Sequence, residues 1–211
     1  MNGTSNAATP KPDTARAVLE AARELFALHG YDGTSVRAIT SKAGANLGAV
    51  TYHFGTKENL YLAVFVSSVR PLVESIAAVR AEDEDALDRI ETALRGAFAH
   101  LEKHREVGPL LMQKLSLNRP IPPALLVLIG GNIRTIAGII EAGQREGCII
   151  KGDPILLALS VVAQPLYLAL ARQPLREALD FNRDDPETQA RVVDHVVAFV
   201  RRGLAADRRS P

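Results

Sequence analysis

Apolar residues recur at helical spacing through almost the whole chain, and no stretch alternates strictly between apolar and polar residues as a half-buried strand does. That period constrains the fold more than any other feature: the protein is expected to be all-α. The first helix is expected over residues 14–29, with Val18, Ala22, Leu25 and Phe26 on one face, Asp13 or Thr14 as its cap and Gly30 just past its end. A second helix of about two turns starts at Thr34 or Ser35, buries Val36, Ile39 and Ala43, and stops at Gly44. The tight turn Gly44-Ala45-Asn46 follows, and Asn46 caps a third short helix that ends at Phe54, with Val50 and Phe54 inward. A longer helix opens near Lys57 on Leu60, Val64 and Phe65; Pro71, which has no backbone donor, is expected to kink or interrupt it.

Further along, Leu87, Ile90, Leu94, Phe98 and Leu101 stripe one helix, and another covers residues 124–146 and ends at Gly147. Asp153-Pro154 opens the next helix, and the last is expected over residues 186–205. Residues 155–171 are almost wholly apolar, but Gln164 and Pro165 sit at their centre and Asp153 and Arg172 close them, which argues against a membrane span. A helix that is apolar on most faces has to be covered, either by a second subunit or by the chain's own core. The last helix poses the same demand, because Val192, Val193, Val196, Val197, Phe199 and Val200 form a stripe too wide for one partner. A homodimer through the last two helices is expected. The domain reading is a flexible tail at 1–13, a DNA-binding domain at 14–60, a regulatory and dimerisation domain at 61–206, and a second tail at 207–211.

Composition narrows the class. With 47% hydrophobic and 23% charged residues in 211 the chain can bury a core, which excludes intrinsic disorder. Its 25 Lys and Arg against 24 Asp and Glu leave a net charge of +1, so a nucleic acid has to be met by a local patch rather than by the whole-molecule field. The single cysteine, Cys148, excludes an intrachain disulfide framework and fits the cytoplasm. The opening segment MNGTSNAATPKPD lacks the apolar core of an export signal.

Short helices joined by a glycine-containing turn are the pattern of a helix-turn-helix, whose second motif helix enters the major groove. Between Gly33 and Lys57 the basic residues are Arg37, Lys42 and Lys57, and there is no Asp or Glu at all. On the third helix Gly48, Thr51 and Tyr52 fall within an arc of about 100°, away from Val50 and Phe54. This face is small and polar, so the helix backbone can approach base edges closely.

The residues Gly30-Tyr31-Asp32-Gly33-Thr34-Ser35-Val36-Arg37-Ala38-Ile39, then Ala43-Gly44, Gly48 and Tyr52-His53-Phe54-Gly55-Thr56-Lys57-Glu58-Asn59-Leu60, resemble the DNA-binding signature of TetR-type transcriptional regulators. The likeness covers roughly residues 14–62. It implies an all-helical homodimer with a diverged C-terminal ligand-binding and dimerisation domain. By the same resemblance Thr34 or Ser35 caps the second helix and contacts a phosphate beside Arg37, Asn46, Leu47, Gly48, Thr51 and Tyr52 approach the groove, and His53 and Lys57 grip phosphates. Leu47 stands where such regulators often carry Lys or Arg: it either meets a thymine methyl or turns inward beside Phe54. The run from Ala45 to Tyr52 and the proline-punctuated helices after it are similar to the CecR-like branch.

Enzyme signatures are missing. The chain has no glycine-rich phosphate loop, no G-x-S-x-G elbow and no H-E-x-x-H, and no cofactor is expected. His100 and His104 stand four apart with Glu102 and Glu106 nearby, but without an evident third ligand, so no metal site is assigned. Met112, Gln113, Asn132, Gln164 and Tyr167 either line a mostly apolar effector pocket or pack in the core as satisfied polar groups. The reading is a cytoplasmic, ligand-responsive repressor that binds a palindromic double-stranded operator as a homodimer and is released by a small molecule. The competing reading is a helical ligand-binding protein without a DNA function.

Overall fold

The computed structural model describes residues 12–77, 85–105, 107–108 and 123–206. The helices are α1 (Pro12–His29), α2 (Val36–Lys42), α3 (Ala49–Phe54), α4 (Lys57–Ala77), α5 (Ala86–Lys103), α6 (Pro123–Glu146), α7 (Pro154–Leu170), α8 (Arg172–Leu179) and α9 (Pro186–Leu204). Among the described residues the only β pairing is an isolated bridge between Ile149 and Ala205. The chain forms two compact units that divide between Ser67 and Ser68, a few residues beyond the boundary expected at 60. The first turns of α4 fall in the N-terminal unit because Tyr61 is buried edge-on against Phe26 of α1, with ring centroids 5.0 Å apart.

In the N-terminal unit α1 buries Val18, Ala21, Ala22 and Phe26, and α2 and α3 pack against it. The joint between α1 and α2 is tight. A Cβ on Gly33 would stand 2.3 Å from the carbonyl oxygen of His29, so only glycine fits there. Ser35 then caps α2 by accepting a hydrogen bond from the Ala38 amide at 3.0 Å. Gly44, at φ +62°, takes the left-handed conformation that the turn after α2 requires.

Helix α4 continues through Pro71 to Ala77, so of the two outcomes expected at this proline the interruption does not occur. Proline removes the bond to the carbonyl four residues back, here that of Ser67, and the buried Leu60, Tyr61, Val64 and Phe65 anchor the turns ahead of it.

The C-terminal unit is built around α5, α6, α7 and α9, with Ile90, Leu94, Phe98, Ile136, Ile140, Val161, Val196 and Val200 in one core. Asp153 caps α7 through the Ile155 and Leu156 amides, and Asp185 caps α9 through Thr188. Two backbone bonds, from Ile150 to Leu204 and from Ala206 to Cys148, clasp the link after α6 to the end of α9. By length and composition α6 alone could cross a bilayer, as could α7 with α8 across a 66° bend. Both sets of helices instead send residues such as Leu125, Ile136, Ala158 and Val161 into the interior.

Helix α8 carries no buried residue and escaped the sequence reading, which finds helices by their buried stripe. It is held at its ends. Glu102 and Asp184 each pair with both Arg105 and Arg172, a closed ring that ties the end of α5 to the α7–α8 corner and to the segment before α9. Burial alone would raise the Glu102 carboxyl, but the hydrogen bonds from Arg172 and Arg105 outweigh it and hold it below the usual carboxylate range. Beside the ring Arg183 is buried, donating to Gln189 Oε1 and to the Leu168 carbonyl.

Gly143 marks the closest approach in this core, since a Cβ there would lie 2.6 Å from Ile149 Cδ1 and 2.7 Å from Ala86 Cβ. Gly143→Ala is therefore expected to destabilise the protein by about 1–3 kcal/mol by overpacking. Gly138→Ala on the same helix meets nothing within 4 Å and should be neutral or stabilising. Urea unfolding of the two variants checks the packing, and equal midpoints would contradict it.

Candidate nucleic-acid interface

The acid-free segment between Gly33 and Lys57 forms one continuous feature: α2, a tight turn and α3. Ile39, Ala49 and Val50 turn inward, which fixes the opposite side of α3 toward solvent. On that side Gly48 and Thr51 are exposed, and Tyr52 is 65% exposed. Leu47 is 55% exposed, so of its two readings the inward one is not realised. It lies in the turn ahead of α3 rather than on the helix, and the 3.6-residue period that would have brought it back beside Phe54 does not apply there.

Two assignments at the motif change. Thr34 is only 2% exposed, and its hydroxyl donates to the carbonyls of Leu25 and Gly30 at 3.0 and 2.8 Å. It closes the end of α1, which leaves the capping of α2 and the exposed hydroxyl to Ser35. Asn46 is exposed but caps nothing with its side chain: α3 begins at Ala49 with Gly48 as its cap position, and the Asn46 carbonyl accepts from the Ala49 amide at 3.1 Å.

The basic groups differ in how they are held. Arg37 is exposed on α2. Lys42 is paired at 2.6 Å with Glu24 of α1, a carboxylate that lies outside the acid-free window and that sequence reasoning missed. Lys57, half-buried at the start of α4, lies over the face of Tyr31 at 4.2 Å from the ring centroid. His53 is half-buried between the rings of Tyr52 and Phe54, and its Nε2 is shielded with no hydrogen-bond partner.

Of the residues expected to line an effector pocket, three are described and differ in exposure. Met112 and Gln113 lie outside the described residues. Asn132 and Gln164 are half-buried, and Asn132 Oδ1 is a shielded acceptor without a partner. Tyr167 is 62% exposed, on one face of α7 with Leu156 and Leu159, because those positions are spaced by three, eight and eleven residues. Among the described residues no group of three or more His, Cys, Asp or Glu could hold a metal; the His100 and His104 rings lie with centroids 4.5 Å apart.

Residues 18–64 match the model of bacterial regulatory proteins of the tetR family. The transcriptional repressor AcnR of Corynebacterium jeikeium (strain K411) is 33% identical over 176 residues, which cover 78% of this chain and 87% of that protein. The chain belongs to the TetR family. The AcnR repressor of Corynebacterium glutamicum is 42% identical over 74 residues, 35% of this chain and 39% of the relative. The chain spans less than half the length of that protein and of two further Corynebacterium AcnR repressors. A tetR-family regulatory protein from Rhodococcus RHA1 shares the fold, with a TM-score of 0.75 at 21% identity over 94% of this chain and all of that one. TetR-family members are regulators that bind DNA, not enzymes.

The Lys42–Glu24 pair yields a direct test of which way this face points. Glu24→Gln frees one cation, and exposed pairs of this kind are worth about 0.2–1 kcal/mol. Duplex affinity at low salt is therefore expected to rise up to about fivefold, with a steeper salt dependence, by fluorescence anisotropy. Unchanged affinity would place Lys42 away from the phosphates.

Proposed function

We propose that this chain is a ligand-responsive transcription regulator, a repressor, that grips a palindromic double-stranded operator as a homodimer in the cytoplasm and is released by a small molecule. The observation that carries the DNA-binding part is the exposed, acid-free face of α3. Gly48 leaves room for the backbone to approach base edges, Thr51 and Tyr52 supply polar contacts, and Leu47 offers a methyl-sized apolar contact to thymine. Ser35, Arg37, His53 and Lys57 flank that face and act on phosphates, which set register without reading sequence. The naming of the Corynebacterium jeikeium relative as a repressor supports the sign of the regulation.

Dimerisation is supported by what the fold leaves uncovered. Leu156, Leu159, Ser160, Ala163 and Tyr167 form one exposed face of α7, and Phe199 of α9 is 62% exposed. An apolar face of this kind marks a protein–protein contact. Two copies joined there would present two reading helices to half-sites about 34 to 36 Å apart. An effector acts by favouring a state in which that separation differs, relayed through the helix that begins at Lys57. The unpartnered Asn132 Oδ1 supports an effector carrying a hydrogen-bond donor within a largely apolar site.

Substitutions separate the roles. Lys57→Ala is expected to weaken binding to all duplexes alike and to lower the salt slope by about one unit. Thr51→Ala or Tyr52→Ala should instead change discrimination between operator and random DNA by about 1–3 kcal/mol. Anisotropy titrations on both duplexes check this, and equal losses on the two for Thr51→Ala and Tyr52→Ala would contradict the groove assignment. For the dimer, Leu159→Glu should yield a folded monomer by light scattering and circular dichroism, with operator affinity lost. A persisting dimer would move the interface elsewhere.

A further inference from the structure

Lys42 and Lys57, both flanking α3, are each held by a neighbour of opposite character. Lys42 is held by the carboxylate of Glu24, which cancels its charge, whereas Lys57 is held by the face of an aromatic ring, which orients a cation without neutralising it. The ring belongs to Tyr31, in the turn between α1 and α2, and it is fixed in turn: it stacks on Phe26 with centroids 6.0 Å apart and meets Tyr61 edge-on at 5.2 Å. A lysine ordered from solvent gives up rotamer freedom, so an ammonium already seated on a rigid surface meets a phosphate at lower entropic cost.

We propose that Tyr31 is a positioning residue for DNA binding: its ring presets the Lys57 ammonium, at 4.2 Å from the centroid, for contact with a phosphate while leaving its charge available. The proposal rests on the DNA-binding reading above and adds to it a residue that touches no DNA itself. Because it acts through Lys57, its contribution is independent of base sequence. The feature that seats the ammonium is the ring face.

The test is a double-mutant cycle in the full-length protein, read by anisotropy on one fixed duplex at several salt concentrations. Tyr31→Leu keeps an apolar group against Phe26 and Tyr61 but removes the ring face, and should weaken binding about two- to fivefold. Tyr31→Phe restores the wild-type affinity. In a Lys57→Ala background Tyr31→Leu should have no further effect. Proton NMR of the DNA-free protein supplies an independent readout: the Lys57 ε-methylene protons are shifted upfield by the ring in the wild type and in Tyr31→Phe, and not in Tyr31→Leu. Equal losses from Tyr31→Leu with and without Lys57, failure of Tyr31→Phe to restore binding, or a wild type that binds duplex without the ring shift would overturn this inference alone. A folded wild type that binds no duplex at low salt would overturn the DNA-binding reading as well.

Discussion

The recognition unit depends on the joint between its first two helices. Gly33 stands so close to the His29 carbonyl that no side chain fits, and the next residue, Thr34, turns its hydroxyl into the unit to close the last carbonyls of α1. Together they fix the angle at which α2 leaves α1. Ser35 then starts α2, Gly44 ends it in a left-handed turn, and the inward burial of Ala49 and Val50 dictates which side of α3 meets solvent. The aromatic group of Phe26, Tyr31 and Tyr61 bonds the start of α4 to the same joint. Tyr61 itself is buried, which pushes its hydroxyl pKa up to about 12, whereas Tyr31 is half-buried.

The C-terminal unit solves a different problem. Its helices carry more apolar surface than one chain can cover, so α5, α6, α7 and α9 share a core while one face of α7 and the Phe199 side of α9 stay exposed. Ion pairs at the rim join elements rather than fill the interior: Arg201 reaches Asp88 and Glu91, and Arg95 bridges Glu91 and Asp194, linking α5 to α9. Surface pairs of this sort add little stability individually.

Features that follow from local rules were legible in the sequence. The helical period gave the all-α class, Ser35 was one of two candidate caps, and Asp153-Pro154 announced α7. The exposed positions Gly48, Thr51 and Tyr52 followed from a period of 3.6 residues. What stayed hidden depends on partners distant in the chain. Glu24 neutralises Lys42 from another helix, which no window centred on the motif contains. Thr34 and Ser35 are equivalent as caps by residue type, and only the carbonyls of Leu25 and Gly30 decide between them. Helix α8 has no buried stripe to find, and Tyr167 fell on the outer face of α7 because a polar residue in an apolar helix marks no particular direction.

In the proposed function the exposed face of α3 reads DNA sequence as one half of a two-fold assembly. Selection of bound duplexes from a random pool, repeated at low and high salt, tests it most directly, since phosphate attraction fades with salt while base readout persists. A palindrome recovered at both salt concentrations, with half-sites about one helical turn apart, is the expected result. A pool that stays random at both would contradict it and leave the helix-turn-helix as a scaffold without an operator.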